Sequence, residues 1–386
     1  MNSDAMLKAS DDLRPLELTP SAAQALLQLL VHGAQPRVQL AESLGLSRAQ
    51  LTRVTADLIR RGVVVEGAAI ARETRGRPAE TLHARPAAAH FVGVKLTGTE
   101  IYFVLVDLAG TIVYESERAL ATRTVDEVVT SIRELLAAAI AETGIYPVGV
   151  GVAAAGDVVQ HKGRAVLERS SFLGWDAVPL GHKVEKAVSL PTTVVNDVNA
   201  LAGAYHWFGA GAPESMVVCA VGAGIGFAVV VGGEVISGAN GRAGRVGHDL
   251  VGPGGQRCVN GHTECVHSFV TMPSIEANAG VGPGEYELAL SLAREGNPRA
   301  RKAFRDAATA LGVAIASAVN VLDPNVITIM GEGVDMLDLE GREFRRALAE
   351  RLERGYPDEV SIARPPFHFD LYARGAAVAA MRELFS

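Results

Sequence analysis

Cysteine is scarce: the 386 residues hold three, Cys219, Cys258 and Cys265. Three thiols cannot build a disulfide framework, and a reducing compartment fits them best. There is no uninterrupted apolar run of about 18 residues, so no segment reads as a membrane span. The first residues, Met1 to Asp12, are polar and lack the apolar stretch of a secretory leader. The expectation is a cytoplasmic protein without a membrane partner. No solenoid-type repeat is visible. Hydrophobic residues make up 48% and charged residues 20% of the chain, which excludes an intrinsically disordered protein. The length exceeds one ordinary core, so two or three domains are expected.

The net charge of -7 is unevenly spread. Between Leu13 and Pro86, ten arginines face six acidic residues, a surplus of +4, whereas everything after Pro86 carries -9. A basic module on an acidic body points to a polyanionic partner for the module alone, although this surplus is a weak signal by itself.

The module reads as three helices and a hairpin. Pro20 to His32 is a helix with Thr19 as its cap and Pro20 in its first position. Val38 to Leu44 is a second helix, broken by Gly45. Ser47 caps a third, running to about Arg61 with Leu51, Val54 and Leu58 at helical spacing, and Gly62 ends it. Val63 to Val65 and Ala69 to Arg72 read as a small hairpin with Arg75-Gly76-Arg77-Pro78 at its tip, and Ala84 to His90 reads as a linker. This is the winged helix-turn-helix order, in which the third helix enters the major groove by its N-terminal end. That end offers Ser47, Arg48, Ala49, Gln50, Thr52 and Arg53. Arginine can pair with guanine and glutamine with adenine, and the hydroxyls can hold phosphate. Arg75 and Arg77 would enter the adjacent minor groove. The competing reading is a small helical dimerisation domain with a solvated basic face. Residues 13–86 are therefore expected to be a DNA-binding domain, and 87–386 a separate body.

From Phe91 onward strands and helices alternate. Strands are read at 91–94, 101–106, 148–152, 193–195, 216–221, 227–231 and 326–330, and helices at 125–142 and 298–321. Glycines gather at strand ends. The pattern is that of an α/β body with ligand sites at strand termini, in two halves.

Several segments of this body resemble the motifs of the ROK family (repressors, open reading frames and sugar kinases), and the basic N-terminal module places the resemblance in its repressor branch. Gly93 to Thr99, followed by Asp107 and Gly110, resembles the family's first phosphate loop. Asn196-Asp197-Val198-Asn199-Ala200 resembles its catalytic-aspartate segment, and Gly222 to Gly226 its second phosphate loop. Gly244 to His248, with Cys258 to Cys265, resembles its zinc and sugar signature, and Gly331-Glu332-Gly333 its adenosine loop. The resemblance implies the two-lobed ribonuclease-H-like fold of actin and hexokinase. It implies further a repressor of carbohydrate-related genes, binding operator DNA as a homodimer or dimer of dimers and responding to a sugar or sugar derivative.

The departures from the family's pattern carry as much as the matches. Lys95 stands where the family's kinases have a metal-organising aspartate. Losing that carboxylate removes the usual hold on Mg²⁺ near the transferred phosphate, so neither ATP nor magnesium is expected and no catalysis. Asp197, a base in the kinases, would then only accept a bond from a bound sugar, with Asn196 beside it. Either could equally belong to a helix N-cap after strand 193–195. Arg245 and His267 replace two glutamates that accept sugar hydroxyls, and both are donors when charged. With His248 they complete the expected effector residues, for a pocket suited to an anionic ligand or closed. The family's structural zinc site has one histidine and three cysteines. At those places stand His248, Cys258, Asn260 and Cys265. A neutral amide is a poor zinc ligand beside thiolates. His262 and His267 lie near, and His262 is the better replacement, since a loop can close from Cys258 to His262. The alternative is a site that has decayed. Two other functions remain open: an active or bifunctional sugar kinase, and a regulator controlled by a protein partner.

Overall fold

A computed structural model describes residues 16, 18–67, 80–161, 164–209, 211–353 and 357–385. The chain divides into two compact units, one made of Met1–Ala212 with Phe369–Ser386 and the other of Pro213–His368.

The first unit opens with α1 (Pro20–His32), the short strand β1 (Gln35–Pro36), α2 (Arg37–Ser43) and α3 (Arg48–Arg60). Strands β2 (Val64–Glu66) and β3 (Thr81–Ala84) follow, and the three strands pair antiparallel in the order β1-β3-β2. Leu26, Leu40, Leu51, Leu58 and Leu82 are fully buried among these elements. Thr19 accepts from the Ala22 N–H and Gly62 ends the third helix with φ +72°, as the sequence indicates. The expected hairpin strand at Ala69 to Arg72, and Arg75 to Pro78, lie outside the described residues. The strand that pairs back is Thr81–Ala84.

The segment 84–90 is not a linker. Ala84 ends β3, Pro86–Ala88 forms a 3-10 turn and His90 opens β4 (His90–Leu96). The Arg85 N–H donates to Val63 O at 2.8 Å and the Leu108 N–H to Pro86 O at 3.0 Å. Its alanines and proline suggest a spacer, but the apolar side chains on either side of it share one core. Leu26, Leu29 and Leu58 of the helices join Phe91, Val104, Trp207, Met381 and Phe385 in a single buried cluster.

The rest of the unit is built on a five-stranded sheet: β4, β5 (Glu100–Asp107), β6 (Ile112–Ala119), β7 (Gly149–Ala154) and, after further elements, β11. Helix α4 (Val125–Thr143) precedes β7, and a small sheet of β8 (Asp157–His161), β9 (Arg164–Ser170) and β10 (Trp175–Val178) follows it. Then come α5 (Leu180–Val188), β11 (Thr192–Asn196) and α6 (Asp197–Phe208). The large sheet has the order β11-β7-β4-β5-β6, with β11, β7 and β4 parallel and the others antiparallel. Side chains alternate along β4: Val92, Val94 and Leu96 pack with α4 and α5, whereas Phe91 packs with the C-terminal helix.

In the second unit the corresponding sheet is formed by β12 (Ser215–Val221), β13 (Ile225–Val231), β14 (Glu234–Ile236), β15 and β16. Helices α7 (Val266–Val270), α8 (Met272–Ala279), α9 (Tyr286–Arg294) and α10 (Pro298–Leu322) precede β15 (Val326–Met330), and α11 (Met336–Arg351) precedes β16 (Ile362–Ala363). The order β14-β13-β12-β15-β16 repeats that of the first sheet, including which pairs are parallel. The same strand order twice is the doubled ribonuclease-H-like architecture implied by the family motifs. Helix α10 is long and apolar enough to cross a membrane, but Ala300, Phe304, Leu311 and Ile315 bury its apolar face in the core of this unit.

The chain returns to the first unit as α12 (Asp370–Phe385), lying on the sheet. Two glycines permit that approach. A Cβ on Gly93 would sit 1.9 Å from Ala373 O, and one on Gly151 would sit 1.7 Å from Ala376 O. Gly93, read from the sequence as part of a phosphate loop, is thus required by helix-on-sheet packing within β4.

Candidate functional site

The expected base-reading residues lie at one end of α3. Ser47 and Gln50 form a capping box. The Gln50 N–H donates to Ser47 Oγ at 3.3 Å, and the Ser47 N–H donates to Gln50 Oε1 at 3.0 Å. Thr52 Oγ1 donates back to Arg48 O at 2.8 Å. Ser47, Arg48, Ala49, Gln50, Thr52 and Arg53 are all exposed, while Leu51, Thr55 and Leu58 face the core. The helix therefore shows an exposed polar face over its first two turns with two arginines, Arg48 and Arg53. The Gln50 carbonyl oxygen is engaged in the cap, which leaves its amide N–H groups as the part with which it could donate to a base. Arg75 and Arg77 fall outside the described residues.

Asn196 and Asp197 lie at the start of α6. Asn196 is its N-cap: Oδ1 accepts from the Val198 and Asn199 N–H groups at 3.0 and 3.3 Å, and Nδ2 donates to Gly156 O at 3.0 Å. Asp197 Oδ1 accepts from the Val198 N–H at 3.0 Å, and Oδ2 accepts from Lys95 Nζ at 2.5 Å. The Lys95 side chain is 6% exposed and that of Asp197 14%, so this is a nearly buried ion pair. The Lys95 ammonium also sits 4.6 Å over the Tyr372 ring. Period-two alternation explains the geometry: Phe91, Gly93 and Lys95 share one face of β4, and α12 brings Tyr372 to it. Tyr372 was invisible in the sequence, because nothing local ties a residue near the C-terminus to one on the first strand of the sheet. Beyond Lys95, Thr97 Oγ1 accepts from the Glu100 N–H at 2.9 Å and closes a tight turn, and Arg123 Nε donates to Gly98 O at 2.6 Å.

In the second unit, Gly222 to Gly224 is the turn of the β12–β13 hairpin, and the Gly222 N–H donates to Gly224 O at 2.9 Å. The Glu332 carboxylate lies over this turn, so that a Cβ on Gly222 would sit 2.5 Å from Glu332 Oε2. A cavity of about 640 Å³ opens beside it, lined by Glu332, Asp335, Asp338, Arg364 and Phe367 among others. Arg364 donates to Asp338 at 2.8 Å, and the Tyr286 hydroxyl to Asp335 at 3.3 Å. Three carboxylates, Glu332, Asp335 and Asp338, thus line this cavity. The acidic character of Glu332 was readable in Gly331-Glu332-Gly333, but not the turn it would cover.

Also in the second unit, His248, Cys258, His262 and Cys265 offer ligand atoms that all lie within 4.8 Å of one another. The two thiols are buried and the two imidazoles exposed. His248 Nδ1 is 3.7 Å from Cys258 Sγ and 3.8 Å from Cys265 Sγ. In a tetrahedral site with zinc–sulfur and zinc–nitrogen bonds of about 2.3 and 2.1 Å, the S···N edge is about 3.6 Å, so these separations fit. Burial pushes the Cys258 thiol up, but backbone N–H groups of Asn260, His262 and Gly261 and the Cys265 thiol together hold it below the ordinary range, which favours the thiolate. Burial, then the neighbouring His262, holds His248 below its ordinary value, which favours the neutral imidazole that binds metal. The residues thus suit a metal ion. Asn260, at the family's missing cysteine position, contacts His248 Nε2 at 2.8 Å.

Of the expected effector residues in this unit, Arg245 is exposed. His267 stacks on His248, with ring centroids 5.7 Å apart and planes at 11°. Burial and then His248 hold His267 below its ordinary value.

The ROK family model matches residues 91–383. A protein of Caldicellulosiruptor sp. (strain Rt8B.4), provisionally named a xylose repressor, is 29% identical over 347 residues, covering 84% of this chain and 86% of that one. A glucokinase of Halalkalibacterium halodurans is 31% identical over 266 residues, 62% of this chain and 79% of its own. A crystal structure titled as a ROK family transcriptional regulator, a homologue of the E. coli MLC protein, superposes with a TM-score of 0.79 at 20% identity, covering 95% of this chain and 96% of that one. The repressor match covers 84% of this chain, and the kinase match spans less than two thirds of it. With the family model covering both sheets and the C-terminal helix, the chain belongs to the ROK family.

Proposed function

We propose that the protein is a DNA-binding transcription regulator, a repressor of carbohydrate-related genes. Its sugar-kinase-like body senses a sugar or sugar derivative and does not transfer phosphate. The observation that carries this reading is the exposed, capped N-terminal end of α3, whose first two turns present Arg48 and Arg53 on a helix-turn-helix joined to a ROK body. A recognition helix inserts by that end. Two such modules in a symmetric dimer would match a palindromic operator.

Two arrangements support the absence of kinase chemistry. Lys95 already bonds Asp197 Oδ2, so taking a proton from a substrate hydroxyl would have to displace that ammonium, whereas accepting a hydrogen bond from a sugar on a remaining lone pair would not. Glu332 places a negative charge over the Gly222 turn, where a phosphoryl donor would need N–H groups and cations. The effector contacts we assign within the first unit are Asn196 and Asp197; of the residues expected in the second unit, His248 belongs to the metal group and Arg245 and His267 lie beside it in the sequence.

We assign a structural zinc ion to His248, Cys258, His262 and Cys265. When bound, such an ion supplies a closed crosslink and no open coordination position. The chain's own residues hold the loop: Cys258 N–H donates to His262 O at 2.8 Å, and the His267 N–H to Gly247 O at 2.7 Å.

The test is selection of genomic fragments by the full-length protein, followed by titration at two salt concentrations. Arg48→Ala should relax preference at one base pair by about 1–3 kcal/mol, with affinity falling as salt rises. Binding no fragment better than random DNA, with or without sugars, would sink the regulator reading. ATP turnover with any hexose, lost in Asp197→Asn, would favour the kinase.

A further inference from the structure

The asparagine in place of a cysteine looks like damage to the metal centre, but its surroundings say otherwise. His248 turns Nδ1 toward both sulfurs, at 3.7 and 3.8 Å, and turns Nε2 toward the Asn260 amide at 2.8 Å. A neutral imidazole carries one N–H. If Nδ1 ligates, Nε2 must bear the proton and needs an acceptor. The amide atom nearest Nε2 is Nδ2, and a half-turn of the terminal amide, which exchanges two atoms of nearly equal size, brings Oδ1 there. The fourth ligand position has its own candidate. The Gly261 N–H donates to Cys258 O at 2.8 Å, and Gly261 has φ +86°. This tight turn delivers His262, whose ring centroid lies 5.2 Å from that of His248.

Building on the zinc reading above, we propose that Asn260 is a positioning residue and not a ligand. It accepts the His248 Nε2 proton and fixes the tautomer and ring orientation in which Nδ1 binds the metal, while His262 supplies the fourth ligand. Outer partners of this kind orient metal-bound histidines, and losing one commonly weakens metal binding about tenfold to a hundredfold.

The experiment uses full-length protein loaded with zinc, with affinity measured by competition against a chromophoric chelator and the ligand set by X-ray absorption. Wild type should hold one zinc with two sulfur and two nitrogen neighbours. Asn260→Ala should keep that set but bind zinc about tenfold or more weakly, and Asn260→Asp, which retains an acceptor, should recover the affinity. His262→Ala should lose one nitrogen neighbour. Asn260→Ala binding as tightly as wild type, or losing a first neighbour of zinc, would overturn the proposal and leave the zinc site standing. No zinc uptake by wild type would overturn both.

Discussion

At the scale of single residues, the most informative position is Lys95. From the sequence it is a lysine where an aspartate is expected, and the inference stops at lost metal binding. In the structure it is one half of a nearly buried ion pair, with Asp197 as the other half and Tyr372 beneath it. Removing one partner of such a pair strands the other charge, typically at a cost of about 3–5 kcal/mol. Lys95→Met and Asp197→Ala should each destabilise the first unit on that scale, whereas Lys95→Met combined with Asp197→Asn should recover most of it. Both tryptophans, Trp175 and Trp207, lie in this unit, so fluorescence-monitored urea unfolding reads it directly. Single variants within about 1 kcal/mol of wild type would show the pair to be incidental.

At the scale of elements, local chemistry was largely legible. Thr19, Ser47 and the glycines at 45 and 62 mark helix ends by caps and by positive φ, and α1 runs over the residues that these signals bracket. Among the strands not read from the sequence, Ile112–Ala119 alternates half-buried and exposed positions but carries charged residues, and Thr81–Ala84 is too short to show a period. A cap also makes a separable prediction. Ser47→Ala should cost about 1 kcal/mol and weaken binding to every DNA sequence, because it frays the turn that we propose enters the groove. Ser47→Asn should retain stability, since asparagine caps equally well. A Ser47→Ala protein as stable as wild type in the same fluorescence assay would show that the capping box contributes nothing.

At the scale of the whole molecule, the N-terminal helices and the first lobe share one buried cluster, and α12 is the element that closes it. Phe385 meets Phe91 edge-on with centroids 6.0 Å apart, and Arg382 lies 5.3 Å over Trp207. Limited proteolysis of the folded protein should therefore not release the module at residues 84–90. Phe385→Ala, which removes a buried aromatic worth about 3–5 kcal/mol, should make that segment cleavable. Rapid cleavage there in wild type would restore the reading of a flexible linker. The sequence by itself determined the class of elements, the order of module and body, the family motifs and the set of candidate ligands around His248, because caps, periodicity and motif spacing are short-range properties of a chain. Only the tertiary structure decided that Lys95 neutralises Asp197, that Gly93 and Gly151 exist for the approach of α12, and that the module is packed into the first lobe. Each of those depends on which side chains meet across more than a hundred residues. That is set by burying apolar surface across the whole unit, and no local pattern encodes it.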